Sequence, residues 1–354
     1  MTGVRQSIRV GKETKFGSGA ISGSWFKLPP NFYLQATPSV STTELYSDGS
    51  KFFDTVDYGQ FSGSWEMSFA MDYEHLALYQ MVFDTVTSTA VSDKTGQWKH
   101  TFTVTNDKTV GSFVIEGVIL NHITSNGGKD ERFLLKGCVA KSIRFSRSSG
   151  ASRTTVTISG FYMDEQVTLS TSDRSMYDEY DGHLVEFSCL FQGDISDANY
   201  MANVESITIG LDIATNPNYT VCRGTSVGYN IGKADIQLGM TAYANDFERY
   251  RALVMGGGTK TTNVSGSTYK FMCKQKRPLD RMTVASYTEC RDEEKDFSDA
   301  YTKSDNSVAF ILDDVVMNSF TRQKGDGGRL IDQMSSSKCR KLTLEIVNGT
   351  EDLI

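Results

Sequence analysis

Polar and apolar residues alternate at period two along much of the chain. Thr101-Phe102-Thr103-Val104-Thr105 and Ser142-Ile143-Arg144-Phe145-Ser146 show it, as do Thr155-Val156-Thr157-Ile158-Ser159 and Ser206-Ile207-Thr208-Ile209. Lys341-Leu342-Thr343-Leu344-Glu345-Ile346 repeats it near the end. Such runs predict strands with one wet and one buried face. Ser125-Asn126-Gly127-Gly128, Arg147-Ser148-Ser149-Gly150 and Gly325-Asp326-Gly327-Gly328 supply turn chemistry, so antiparallel hairpins are expected. Two stretches read instead as helices. Asp72 to Phe83 begins with a capping Asp, and Asp246 to Val254 ends on Gly256-Gly257-Gly258. A few helices among many strands predict antiparallel sandwiches with a helix alongside.

The two predicted helices belong to a longer correspondence. Asp72-Tyr73-Glu74-His75-Leu76 aligns with Asp246-Phe247-Glu248-Arg249-Tyr250, 174 positions on. The strands before them, 63–69 and 237–243, align at the same offset. Leu134, Leu135, Val139 and Ser142 match Ile311, Leu312, Val316 and Ser319 at an offset of 177. Shared order, spacing and element type predict a duplicated domain. The acidic stretch Ser172 to His183 reads as the linker. Each copy carries a long polar segment before its helix-bearing strand, Ser41 to Gln60 and Ala214 to Lys233. Loops near 20 residues are uncommon in a compact domain unless they have work to do. Their aromatic and charged residues suit contact with a neighbouring subunit. The candidates are Tyr46, Asp48, Lys51, Phe52, Phe53 and Tyr58, then Tyr219, Arg223 and Tyr229.

Composition narrows the class. The 354 residues allow two or three domains, and 20 Phe with 16 Tyr are too many for a disordered chain. With 43 acidic against 36 basic residues, the net charge of -7 disfavours a protein that wraps nucleic acid. The longest apolar stretches, such as Gly117 to Leu120, fall far short of a membrane helix. A polar Met1 to Val10 predicts no export signal, so the six cysteines are expected as reduced thiols. The sequons at Asn218, Asn263 and Asn348 are then chance matches.

Catalytic signals are weak. His75, His100, His122 and His183 have no metal-ligand spacing, and no G-x-S-x-G elbow occurs. Gly256 to Thr261 lacks the Gly before Lys that a phosphate loop needs, and reads as a helix-end turn. Asp313-Asp314 is the kind of pair any acidic protein supplies. Lys274, Lys276, Arg277 and Arg281 make a local basic patch, too short to indicate nucleic-acid binding by itself. No catalytic residue, cofactor or metal is expected.

Taken together, the chain resembles the tail tube proteins of long-tailed bacteriophages, in the form with the tube domain duplicated. Phe32 to Val40, Phe61 to Phe69 with the following helix, Leu135 to Ile143 with Thr155 to Gly160, and Asn203 to Asp212 carry the likeness. It spans most of residues 30–350 and fits 274–303 less well. The resemblance implies a mainly β fold: two tandem antiparallel sandwich domains, each with a flanking α-helix, whose strands join a continuous barrel in the oligomeric ring. It divides the chain into an arm 1–29, copy one 30–171, a linker 172–183 and copy two 184–354. It implies stacked rings, trimeric with pseudo-sixfold symmetry rather than hexameric, contacting each other through the candidate residues above. The other partners would be tape measure, terminator and tip proteins. DNA would pass through the lumen unbound, along a wall whose negative charge repels phosphates. The protein would be assembled in the host cytoplasm and reside in the virion tail, away from any membrane. A terminator or tip ring is the nearest alternative. A carbohydrate-binding sandwich using Trp25, Trp65 or Trp98 is the more distant one.

Overall fold

The computed structural model describes residues 6–28, 32–45, 55–92, 95–105, 111–119, 130–148, 153–170, 185, 189–192, 204–220, 224–243, 279–286, 306–317, 320–324 and 330–349. These form eighteen strands, all paired antiparallel and linked into one open hydrogen-bonded system. The first half contains β1 (Gln6–Lys12), β2 (Phe26–Lys27), β3 (Tyr33–Leu45), β4 (Thr55–Ala70), β5 (Thr85–Ala90), β6 (Trp98–Thr103), β7 (Phe113–Ile119), β8 (Asp130–Ser148), β9 (Thr155–Tyr162) and β10 (Asp164–Ser170). The second contains β11 (Cys189–Gln192), β12 (Val204–Asn218), β13 (Gly228–Tyr243), β14 (Leu279–Ser286), β15 (Ser307–Met317), β16 (Phe320–Lys324), β17 (Leu330–Cys339) and β18 (Lys341–Asn348).

One layer runs β3-β4-β9-β8-β12-β13-β17-β16, so β8 of the first half pairs directly with β12 of the second. A second layer has two parts, β2-β1-β7-β8-β10 and β11-β14-β15-β18-β6-β5. β8 serves both layers because it turns a corner. Its first part pairs with β7 and β10, its last part with β9 and β12. The corner holds Gly137 at φ 63, a left-handed conformation cheapest for glycine. β15 likewise passes from β14 and β18 to β17, and at its corner stands Asp314, φ 53, 177 positions on. Asp314 is ion-paired with Arg340.

Further correspondences follow the same offsets. Ala36 pairs with Trp65, and Ile209 with Leu238, each 173 positions later. Both ladders slip one register at the same place, after Val40 and after Ile213, and close on Leu45 with Thr55 and Asn218 with Gly228. The sequence alignment at 174 is therefore one residue off for these strands. Burial supplies the reason: Trp65, Met67 and Phe69 face inward in β4, as Leu238 and Ala242 do in β13, and a slip of one puts every side chain on the wrong face.

Some expectations change, and others fall outside the described residues. The helix expected over Asp72–Phe83 is a 3-10 helix over Leu76–Met81. Leu76, Ala77, Leu78, Tyr79 and Met81 are all buried, so contacts on every side, not one amphipathic face, set its path. Asp72 still anchors the entry, accepting the His75 backbone N–H at 3.1 Å and pairing with the His75 ring. The second expected helix, 246–254, and the linker 172–183 lie outside the described residues. Lastly, the described parts of Ser41–Gln60 and Ala214–Lys233 are largely strand: β3 with β4, and β12 with β13, continue as long hairpins. Residues 6–12, expected in an arm, form β1 and pair with β7 along their length.

The core lies between the layers. Trp65, Phe69, Phe145, Val156 and Ile158 fill it from one side, and Phe113, Ile115, Leu135, Phe310 and Leu344 from the other. The 3-10 helix plugs the second half of it. Tyr79 meets Phe102 and Phe145 with ring centroids 5.8 and 6.1 Å apart, and Phe145 meets Phe310 at 4.6 Å.

Candidate assembly interface

Alternation gives the β3-to-β17 layer a second face, away from the core. It carries Ser64 and Glu66 on β4, Ser159 and Thr157 on β9, Ser142, Arg144 and Ser146 on β8, Thr208, Gly210 and Asp212 on β12, and Asp235 and Gln237 on β13. Cross-strand bonds knit it, including Ser142 Oγ to Ser159 Oγ at 2.7 Å and an Asp235 carboxylate that accepts from Gln237 at 2.8 Å and pairs with Lys338. Those two donors hold the Asp235 carboxyl below the usual carboxylate range. Small hydroxyls and sparse charges make this surface wet but weakly adhesive.

The β3–β4 hairpin projects, and beyond Ser41 and Gln60 its described residues are exposed except for a half-buried Val56. A two-stranded ribbon with no packed face is marginal by itself. Tyr58 on it is 79% exposed. Of the other candidates, Tyr46, Asp48, Lys51, Phe52, Phe53 and Arg223 lie outside the described residues. Tyr219 and Tyr229 are engaged inside the chain. The Tyr219 hydroxyl donates to Phe61 O at 3.1 Å, and the Phe61 N–H donates to Gly224 O at 2.7 Å, joining the two hairpins. Tyr229 packs against Phe16 at 5.4 Å and Phe161 at 6.3 Å. Burial pushes both phenols up. Structure thus brings Tyr219 and Tyr229 to the junction of the halves and leaves Tyr58 apart.

That junction depends on Glu13, which sequence reasoning missed. Its buried carboxylate accepts the backbone N–H groups of Gly17 (2.9 Å), Gly19 (3.0 Å) and Gly137 (3.0 Å), tying residues 14–19 to the β8 corner and setting Phe16 against Tyr229. Nearby, Glu116 of β7 is clamped between Arg9 of β1 and Arg132 of β8. No sequence spacing announces these contacts, since the partners lie up to 124 positions apart.

Trp65 is buried, with Nε1 donating to Phe161 O at 3.0 Å, and Trp25 lies under the Arg9 guanidinium at 4.4 Å. Among the described residues no group of three or more His, Cys, Asp or Glu could hold a metal, and no helix is long and apolar enough to cross a membrane. Cys138 and Cys339 are free, and burial pushes Cys138 up and Cys339 to about 12.

An open, wholly antiparallel β-protein with a hydroxyl-rich face and a projecting hairpin has the build of a structural assembly subunit. Residues 3–285 match the family model of phage tail tube proteins, and the chain belongs to that family. No curated protein matches it. Membership gives the chain a structural role in the virion tail and self-assembly with other tail proteins.

Proposed function

We propose that the chain polymerises into stacked rings of three, each chain contributing two tube domains, 30–171 and 184–354, to a hollow tail tube through which DNA is ejected. The observation carrying this reading is the recurrence of one pairing scheme at offsets of 173 and 177, with the same register slip and the same left-handed corner. Two equivalent units per chain and three chains give six positions around a ring. Among the described residues, β3 pairs only with β4 and β16 only with β17, so the ends of the layer are open edges. Joining such edges between chains closes the barrel and removes unpaired backbone. The hydroxyl-rich face then lines the lumen, where Glu66 and Asp212 discourage phosphates from lodging. The β3–β4 hairpin with Tyr58, and the residues 46–54 that join its strands, contacts the next ring.

Electron microscopy of the purified protein tests this directly. Hollow tubes with sixfold-like rings of three chains are expected at high concentration or with tail-tip initiator present. Single rings that never stack would point to a terminator, and monomers under all conditions would end the tube reading. Deleting residues 48–57 should leave folded protein that no longer stacks.

A further inference from the structure

The seam between β8 and β12 shows how one half of the chain meets the next. It runs from Asp212 opposite Ser142 to Ser206 opposite Ser148. Both of its strands have counterparts at the open ends of the same layer. β3 is the counterpart of β12, 173 positions back: Val40 and Phe61 precede the register slip in one hairpin, as Ile213 and Ala234 do in the other. β16 is the counterpart of the last part of β8, 177 positions on. At that offset Asp164 opposite Lys136 becomes Lys341 opposite Asp313, and the corner at Gly137 becomes Asp314. The row Met67, Ile158, Ile143 across β4, β9 and β8 becomes Met240, Met334, Phe320 across β13, β17 and β16. Among the described residues β3 pairs only with β4, and β16 only with β17. Burial follows the same division. Ile207 and Ile209 of β12, with β8 alongside, are 8% and 2% exposed, while Leu34 and Ala36 at the uncovered edge of β3 are half-buried.

Carrying the seam across by these two offsets gives a definite register. Ile209 opposite Phe145 becomes Ala36 opposite Arg322. Thr208 opposite Ser146 becomes Gln35 opposite Gln323, and Gly210 opposite Arg144 becomes Thr37 opposite Thr321. Backbone pairing alone sets this register, yet it puts like on like twice. The faces agree as well: Gln35, Thr37, Thr321 and Gln323 are exposed, and Ala36 and Arg322 between them are half-buried. An amide or a hydroxyl both donates and accepts, so Gln opposite Gln and Thr opposite Thr are complementary across a strand pair. Pro38, which has no N–H to give, falls at the end of the seam, opposite the first residue of β16. A slip of two keeps the faces but sets Gln35 against Thr321 and loses both like pairs.

We propose that β16 of one chain adds to β3 of a second copy of this chain in the register that β8 uses on β12, with Gln323 opposite Gln35 and Thr321 opposite Thr37 of its neighbour. The inference rests on the ring assembly proposed above and gives that ring its register and its head-to-tail direction. The seam between chains then repeats the seam within the chain.

Cysteine pairs test the register. Directly opposed residues of an antiparallel pair have Cα atoms about 4.5–5.5 Å apart, within disulfide reach, and diagonal ones are about 7–8 Å apart, outside it. Full-length protein with Gln35→Cys and Gln323→Cys is assembled, checked by electron microscopy and mildly oxidised. Both side chains are exposed, so the substitutions leave folding intact. The expected result is a reduction-sensitive ladder of two- and three-chain species on a gel. Neither single variant should give it, which controls for the natural cysteines. Thr37→Cys with Thr321→Cys should give the same ladder, and it decides the matter where the first pair hinders assembly. Thr37→Cys with Gln323→Cys, one diagonal step away, should lose it. A ladder strongest for the diagonal pair, or two-chain species from Gln35→Cys alone, overturns this register. Tubes with no ladder from either opposed pair overturn the inference and leave the tube reading standing. Failure of the unsubstituted protein to form any tube overturns the tube reading and this inference with it.

Discussion

β18 and β10 share a pairing partner type, an offset and a place in the layer, yet one is core and the other is surface. β18 buries Leu342, Leu344, Ile346 and Val347, while Gln166, Val167 and Thr168 of β10 are exposed. The difference arises from a third party. β6, from the first half, pairs along β18 of the second, with its Phe102 packed against Tyr79 and Phe83 at 5.8 and 6.1 Å, and Asn348 of β18 donates to Tyr73 O just before the 3-10 helix. Backbone pairing positions a strand, and whatever packs against its open side decides whether it becomes core.

The sharpest way to break the comparison is to remove the cover. Phe102→Ala should cost about 3–5 kcal/mol by the usual range for buried aromatics, read from urea unfolding. It should also raise hydrogen exchange along β18 while leaving β10 unchanged. Next, Leu344→Ala should cost about 2–5 kcal/mol, and Val167→Ala in the unassembled chain less than about 0.5 kcal/mol. Equal costs would show that the two strands are packed alike. The corners give a smaller contrast. A Cβ at Gly137 would lie 2.8 Å from Met163 Cβ, at a φ that L-residues dislike, so Gly137→Ala should destabilise by about 1–3 kcal/mol. Asp314 already occupies the matching conformation. Asp314→Gly should therefore shift stability by less than about 1 kcal/mol, and Asp314→Val should cost about 1–2 kcal/mol more than that.

The smallest effect is a pH dependence. Burial raises the pKa of Cys138, Cys339 and Tyr162 in the folded chain, with Cys339 reaching about 12. The unfolded groups ionise at lower pH, so these sites contribute full stability near neutrality and lose it as pH climbs from about 9 towards 12. The urea midpoint should fall between pH 8 and pH 10.5. At pH 8, Cys138 should be alkylated only after unfolding.

Much of this was legible beforehand and some was not. Runs such as Thr155–Ser159 and Lys341–Ile346 became strands because their alternation reports directly which side faces the core. The hairpins hid because beyond Ser41 and Gln60 the β3–β4 ribbon is almost wholly exposed, and exposed Ser, Asp, Gly and Tyr read as loop. The Asp72–Phe83 stretch misled for the opposite reason, being apolar nearly all round. Asp314 was visible as half of an acidic pair, and its match to Gly137 at offset 177 was the signal that could have marked it as a corner. Of the expected contact residues, Tyr58 alone is described as free-standing. Tyr219 and Tyr229 are bound within the chain, which no local pattern foretells.

Local alternation and internal correspondence were enough to establish strand identity, inward faces and the offset of 177, and came within one residue of the other, because a side chain's face depends on residues one or two positions away. Tertiary structure decided everything that joins distant segments. It set the β8–β12 seam, the Glu13 clasp on three backbone amides, and the passage of β5–β6 onto β18. Those depend on partners brought together only when the sheet forms, and the burial of one equivalent edge beside the exposure of the other follows from which segment arrives there.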